Sequence, residues 1–233
     1  MMIEFIGVYK FNLRDLNFKI ENGEFVCLCG NGGAGKTTIL KLIAGEITPE
    51  RGTIKIATNS ISRIGTGLRE IKMQNAKCKT KDKKAELRKE NLSLKNKISY
   101  IAQSTALLEN KDVFTNIVFP LKFLGKYNRS AVLSILSKLG LNDYWKSKVC
   151  NLPCSYRQLL KIALQVVKNP ILLLADEPLT NLDAEQSSTV LALLKDMHST
   201  GTTILLATSQ VTHFATKELH LINGEIIKES PKT

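Results

Sequence analysis

Residues 30–37 read Gly-Asn-Gly-Gly-Ala-Gly-Lys-Thr and fit the phosphate-loop pattern G-x-x-x-x-G-K-[ST] without a mismatch. An apolar run of strand length, residues 25–29, precedes this segment, and a helical pattern closed by Gly45 follows it. The glycines let the backbone curl so that successive N–H groups point inward, at the start of a helix, where an anion is stabilised. The segment therefore predicts a site for the phosphates of a nucleotide on a strand, loop and helix unit.

The side chains of this loop have separate predicted roles. Lys36 is expected to reach the β- and γ-phosphates, and the Thr37 hydroxyl is expected to bind Mg²⁺. The residues predicted to contact the nucleotide here are Gly30, Asn31, Gly32, Gly33, Ala34, Gly35, Lys36, Thr37 and Thr38.

The size and composition of the chain favour one compact unit. It has 233 residues, of which 43% are hydrophobic, enough for one core with an attached subdomain. No stretch approaches the roughly 18–20 apolar residues of a membrane span, and residues 1–5 lack the layout of a signal peptide. Five cysteines show neither paired metal spacing nor an even disulfide count, which suits a reducing compartment. We expect a cytosolic protein unless a partner holds it at a membrane.

Positive charge is concentrated in one segment, residues 63–97. It holds 12 of the lysines and arginines and 4 acidic residues, so it carries +8 of the net charge of +12. A solvated surface insertion is the first interpretation, and an anionic membrane or partner surface is the second. Nucleic acid is the least favoured, because no aromatic residues are interleaved for base stacking.

The remaining pattern predicts an α/β fold with a mostly parallel sheet. Residues 3–20 form two alternating segments typical of antiparallel strands, and further strands are predicted at 53–57, 98–102, 171–175 and 202–207. Residues 112–168 carry helical patterns interrupted near Pro120, Gly125 and Gly140, residues 184–199 predict a helix, and residues 218–228 predict a hairpin turning at Asn223-Gly224. A charged helix is also expected within the basic segment. The predicted division is 1–58 (antiparallel strands and phosphate loop), 60–97 (basic insertion), 104–168 (helical subdomain) and 169–233 (second half of the core).

A second acidic motif lies at residues 171–177, where a buried strand ends in Asp176 and Glu177. An aspartate at this point can hold the Mg²⁺ that bridges the β- and γ-phosphates, and the next carboxylate can polarise the attacking water. Asp176 is therefore the predicted metal residue and Glu177 the predicted general base.

With these motifs in place, the chain resembles the ATP-binding subunit of ABC transporters over nearly its whole length. Residues 175–183, Ala-Asp-Glu-Pro-Leu-Thr-Asn-Leu-Asp, are similar to the Walker B motif and D-loop of the subgroup that powers lipoprotein release, macrolide export and FtsE-type cell division. The resemblance implies Mg-ATP as the bound nucleotide, and it implies that Gln103 contacts Mg²⁺ and reports the nucleotide state to a membrane subunit. It makes Phe11, or otherwise Tyr9, the aromatic residue that stacks on adenine.

The resemblance fails at two motifs. The signature Leu-Ser-Gly-Gly-Gln falls on Leu152, Pro153, Cys154, Ser155 and Tyr156, and only the leucine is kept. Ser209 stands where the family has its γ-phosphate-sensing histidine. For His213, one helical turn later, a surface histidine is the first interpretation and a substitute for the sensing histidine is the second. Proline lacks an N–H donor, and the side chains at 154 and 155 obstruct the close approach of a phosphate.

Three functions follow from this combination. The first is an ATPase subunit that drives an integral membrane partner from the cytoplasmic side of the inner membrane, paired with a second nucleotide-binding subunit in a homodimer or a heterodimer. The second is a nucleotide-gated scaffold with little turnover, or the degenerate half of a heterodimer. The third is a soluble protein acting on ribosomes or DNA, which the single nucleotide domain argues against.

Overall fold

The computed structural model describes residues 2–57, 71–72, 96–209 and 215–231. The strands are β1 (Met2–Lys10), β2 (Leu13–Ile20), β3 (Phe25–Cys29), β4 (Arg51–Ala57), β5 (Ile71–Lys72), β6 (Ile98–Ile101), β7 (Leu172–Asp176), β8 (Thr203–Thr208), β9 (Lys217–Ile222) and β10 (Glu225–Pro231). The helices are α1 (Lys36–Ala44), α2 (Val113–Phe123), α3 (Arg129–Lys138), α4 (Cys154–Val166) and α5 (Ala184–Ser199), with short 3₁₀ turns at Asn142–Tyr144 and Val149–Asn151. The predicted charged helix and His213 lie outside the described residues.

The larger sheet has six strands in the order β10-β9-β3-β8-β7-β6. Five of its strands run parallel to one another, namely β3, β6, β7, β8 and β9. The sixth strand, β10, pairs antiparallel with β9. Asn223 and Gly224 both have positive φ, which is the geometry of the tight turn that the sequence predicts between β9 and β10. The mostly parallel sheet predicted from the sequence is confirmed.

The smaller sheet is antiparallel and has the order β2-β1-β4-β5. β1 and β2 pair antiparallel and are joined by Phe11 and Asn12 alone. β5 consists of two residues of the basic segment and pairs with Lys55 and Ile56 of β4. The predicted antiparallel region at the start of the chain is therefore present.

The six-stranded sheet has a buried core on each face. In β3, Phe25 and Cys27 face one cluster, which also receives residues of α2, α4 and α5. Val26 and Leu28 face the other cluster, which contains α1 and the inner faces of β1, β2 and β4. This alternation follows from the two-residue repeat of a strand. Burial of each of these aliphatic side chains contributes about 1.5–3 kcal/mol to the free energy of folding. The two clusters therefore hold the sheet in place, and the sheet in turn positions the loops that follow its strands.

Three α-helices, α2, α3 and α4, lie between β6 and β7 in the chain, and one prediction about this region is wrong. α2 runs from Val113 to Phe123 through Pro120, where the pattern predicts an interruption. A proline inside a helix costs about 3 kcal/mol, and here buried Val113, Ile117 and Leu121 anchor the helix on both sides of it. Gly125 and Gly140, both with φ 65°, follow the ends of α2 and α3 as predicted. Among the described residues, no helix combines the length and the hydropathy needed to span a bilayer.

Candidate functional site

The phosphate loop connects β3 to α1 at the carboxyl edge of the large sheet. Gly35 is the N-cap of α1 with φ 112°, and a Cβ at this position would lie 2.4 Å from Leu13 Cδ2. No other residue type fits both the conformation and the close approach of β2. α1 has no side-chain cap and no acidic residue in its first turn, so its first N–H groups and its dipole are available to an anion.

Lys36 is the buried cation of this loop, with only 8% of its surface exposed. Its Nζ donates to the carbonyl oxygens of Gly30 at 2.5 Å and Asn31 at 3.3 Å. The same Nζ lies 3.5 Å from Glu177 Oε1. The ammonium therefore stands between the loop and the carboxylate predicted to act as the base.

Asp176 ends β7 and is 2% exposed. Its Oδ2 accepts a hydrogen bond of 3.3 Å from the Tyr100 hydroxyl, whereas its Oδ1 has no hydrogen-bond partner among the described residues. Burial raises the pKa of Asp176, and hydrogen bonds from Thr37 and Tyr100 act in the opposite direction. Burial, followed by the charge of Asp176, also raises the pKa of Tyr100, so Tyr100 remains a donor.

These groups suit a hard divalent cation. A buried carboxylate oxygen without a donor is costly, and a cation beside it would remove that cost. The Thr37 hydroxyl interacts with the same carboxylate and is a second oxygen of the kind that Mg²⁺ prefers. Asp176 and Thr37 are therefore the residues that could hold Mg²⁺.

Glu177 follows directly and has a left-handed backbone conformation, φ 47°. Such a conformation costs a non-glycine residue about 1–3 kcal/mol and is found mainly where function requires it. Its N–H donates to the Ala207 carbonyl at 2.9 Å, and its Oε2 accepts from the Ser209 N–H at 3.3 Å. Backbone groups of Ala207 in β8 and of Ser209, which follows the end of β8, therefore hold Glu177, and the Ser209 side chain takes no part in this contact.

One cleft of about 220 Å³ brings most of the predicted residues together. It is lined by Asn12, Asn31, Gly32, Gly33, Ala34, Gly35, Lys36, Thr37, Thr38, Gln103, Asp176 and Glu177. The side chain of Gln103 is exposed, and its backbone oxygen accepts from Lys161 Nζ at 2.9 Å, which ties the segment after β6 to α4. Gly30 takes part through its bond to Lys36 rather than as a lining residue.

The predicted adenine-stacking residues lie beside this cleft, outside its lining. Phe11 is 71% exposed, and Lys10 Nζ lies 4.5 Å from the centroid of its ring. Tyr9 is 37% exposed. Asn12, the residue after Phe11, belongs to no recognised motif, yet it lines the cleft and donates from Nδ2 to the Gly33 carbonyl at 2.9 Å. The role of Phe11 stays a prediction.

The segment 152–156 forms the start of α4. Pro153 is the N-cap, and no side chain caps the helix. Cys154 is exposed, Ser155 Oγ accepts from Gln186 at 3.4 Å, and the Tyr156 ring packs on Tyr144 with centroids 4.2 Å apart. A hydrogen bond with Tyr144 raises the pKa of Tyr156. None of these residues lines the phosphate-loop cleft.

A largely parallel sheet, a glycine-rich loop leading from β3 into α1, and a carboxylate pair at the end of β7, which β8 separates from β3, define the class of P-loop nucleotide-binding proteins. The chain belongs to the ABC transporter family, whose sequence model matches residues 13–180. It is an ATP-binding cassette of the ATPase type.

Two curated relatives are cell division ATP-binding proteins named FtsE. The protein from Mycobacterium tuberculosis is 30% identical over 227 residues, which cover 94% of this chain and 89% of the relative. The protein from Escherichia coli is 31% identical over 213 residues, covering 90% and 86%. The match to the FtsE-like subgroup is confirmed.

Solved structures of the cassette MJ0796 have the same fold. The dimeric structure of this bacterial ABC transporter cassette has a TM-score of 0.80 at 26% identity and covers 98% of both chains. A second MJ0796 dimer, in a post-hydrolysis state bound to ADP and Pi, has a TM-score of 0.78.

Proposed function

We propose that this chain is the Mg-ATP-hydrolysing subunit of an FtsE-like complex, peripheral on the cytoplasmic side of the inner membrane and paired with an integral membrane subunit. The observation that carries the proposal is the cleft in which the phosphate loop, Lys36, Asp176 and Glu177 meet. The resemblance to the FtsE proteins and to the MJ0796 dimers supports the subgroup and the dimer.

We propose a separate task for each group of residues in this cleft. The loop N–H groups and α1 bind the phosphates, and Lys36 exchanges its bonds to loop carbonyls for bonds to phosphate oxygens. Asp176 and Thr37 would hold Mg²⁺, which would supply positive charge to offset the charge of the phosphates. Glu177 orients water and takes its proton, in a position fixed by Ala207 and Ser209. Gln103 is the proposed link to Mg²⁺ and to the membrane subunit.

α2 supplies a surface for that membrane subunit. Phe119 is 65% exposed and Phe123 is 88% exposed, one helical turn apart, with exposed Lys122 beside them. Two aromatic side chains left in water in this way mark an interaction surface. We assign it to a helix of the integral membrane partner that carries an apolar stripe and an acidic residue. Replacing both phenylalanines with serine should abolish co-purification with the partner and leave ATP binding intact.

The basic insertion, residues 63–97, is proposed to contact anionic lipid. Its charge of +8 would be attracted to an acidic membrane surface. Association with vesicles containing acidic lipid should fall steeply as salt rises and should vanish when the charges of residues 72–89 are neutralised. Binding that ignores salt would contradict this part of the proposal.

A nucleotide-gated scaffold, or the degenerate half of a heterodimer, is the second candidate. The observation that favours it is the start of α4, where Pro153, exposed Cys154 and the Tyr144–Tyr156 pair occupy the place of the family's signature. A group that stabilises the transition state contributes about 10²–10³ in rate, and Pro153 has no N–H group to donate to a phosphate. A partner cassette with an intact signature would restore turnover at the site built on Lys36.

The test is Mg-ATP turnover by the purified chain beside an ATP-binding titration. Lys36→Ala should abolish turnover and remove the stabilisation by ATP, which is about 2.7 kcal/mol at a concentration of 100 Kd. Lys138→Ala, at a surface ion pair with Asp196, is the matched control and should change neither. Turnover sensitive to Lys36 supports the ATPase subunit, tight binding without turnover supports the scaffold, and binding unaffected by Lys36→Ala would refute both.

A further inference from the structure

Tyr100 reaches the metal end of the cleft because of the register of the central sheet. It lies opposite Leu174 where β6 and β7 pair. Leu172 and Leu174 face the same core cluster, so Asp176 lies two residues further along on that face. One pleat repeat measures about 6.6 Å, which is close to the reach of a tyrosine side chain. The phenol ring packs against the cluster and the hydroxyl meets Asp176 Oδ2 at 3.3 Å.

The two oxygens of Asp176 therefore have different surroundings. Oδ2 accepts from Tyr100, and Oδ1 is buried without a hydrogen-bond partner among the described residues. Thr37, the other oxygen suited to a cation, interacts with the same carboxylate. A carboxylate held through one oxygen presents the other in a fixed direction, and that arrangement orients a metal ligand.

We propose that Tyr100 is a positioning residue, whose hydroxyl holds Asp176 so that Oδ1 alone is directed to Mg²⁺. The inference rests on the proposed function, because it assigns Asp176 to the metal of Mg-ATP. Tyr100 touches neither the phosphates nor the reacting atoms in this arrangement. Phenylalanine would keep the ring and its packing against the core cluster, so the hydroxyl can be tested separately.

The experiment measures ATP affinity without turnover, in a Glu177→Gln background, first in EDTA and then as a function of free Mg²⁺. Tyr100→Phe should leave the affinity in EDTA unchanged and should raise the Mg²⁺ concentration for half-maximal effect about 10–100-fold. Tyr144→Phe removes a hydroxyl that contacts Tyr156, away from the cleft, and should match the parent. Asp176→Asn should lose the Mg²⁺ response. Mn²⁺, followed by the electron paramagnetic resonance of the free ion, gives a second reading of metal affinity.

Each result decides the inference. A Tyr100→Phe chain with the parent's Mg²⁺ dependence would overturn it and leave the proposed function standing. Loss of ATP binding in EDTA as well would also overturn it, since the residue would then support the fold rather than orient a ligand. If ATP affinity of the parent chain does not change with free Mg²⁺, both the inference and the proposed function are overturned.

Discussion

The N-termini of α1 and α4 both lack a side-chain cap, but they differ in how well they suit a phosphate. Each helix lacks a side-chain cap, so each has N–H groups without an internal partner. At α1 the cap is Gly35, and Lys36 and Thr37 add a cation and a hydroxyl at the cleft. At α4 the cap is Pro153, which has no N–H group, and Cys154 and Ser155 follow it where a glycine would leave the backbone open. A helix dipole becomes a phosphate site only where the neighbouring residues allow the phosphate to approach.

The largest effect is expected in the phosphate-loop cleft at α1, where the family's motif is intact. Glu177→Gln should lower turnover by about 10²–10⁴-fold, because an amide cannot take the proton from water. ATP binding should be kept, since the bond from the Ser209 N–H has an acceptor in either side chain. Turnover and nucleotide affinity are measured together, with Glu185→Gln on the exposed start of α5 as the control. Loss of binding along with turnover would contradict the assigned role.

Restoring the family's signature residues at the start of α4 should instead raise turnover. A chain with Pro153→Ser, Cys154→Gly, Ser155→Gly and Tyr156→Gln should gain about 10²–10³-fold in turnover, because backbone N–H groups become available to a phosphate across a dimer. The gain should depend on protein concentration, which a dilution series measures. Tyr156→Gln alone, which keeps Pro153, is the control and should raise turnover only slightly. Unchanged turnover in the repaired chain would show that this helix start does not limit the reaction.

Ser209→His should have a smaller effect, a gain in turnover below the roughly 10²–10³-fold that a full transition-state donor contributes. The backbone N–H at this position already contacts Glu177, so the substitution adds only an imidazole beside the γ-phosphate. Steady-state turnover measures the gain, and Ser209→Asn separates the effect of size from that of the ring. Equal rates for both variants would mean that the imidazole contributes nothing.

The smallest effect concerns stability and tests what a side-chain cap is worth in this chain. Asp112 caps α2 by accepting from the Thr115 N–H at 2.6 Å. Asp112→Ala should cost about 1 kcal/mol, seen as a loss of about 2–4 °C in Tm. Asp143→Ala, on the short turn Asn142–Tyr144, is the control. An equal loss of Tm in Asp143→Ala would show that loss of the cap does not explain the effect of Asp112→Ala.

The parts of the molecule that sequence predicted are those that local rules determine. The loop around Lys36, the helix 184–199 and the turn at Asn223-Gly224 each depend on neighbouring residues, and the structure contains all three. Asn12 and Tyr100 were not identified, because their contacts with Gly33 and Asp176 arise only when distant strands pair. Pro120 predicts a break in the helix, because the sequence pattern does not reveal how much apolar surface α2 buries.

The position of β3 in the sheet has a consequence for how the protein is made. β3 ends at residue 29, and its two described sheet neighbours are β8, which begins at Thr203, and β9, which ends at Ile222. A growing chain on the ribosome therefore carries the phosphate loop on a strand with no partners until nearly all of the sequence has been translated. Contacts this distant along the chain form slowly. Nucleotide binding is thus acquired late in synthesis, and a nascent chain stalled before residue 203 has the motif without the site.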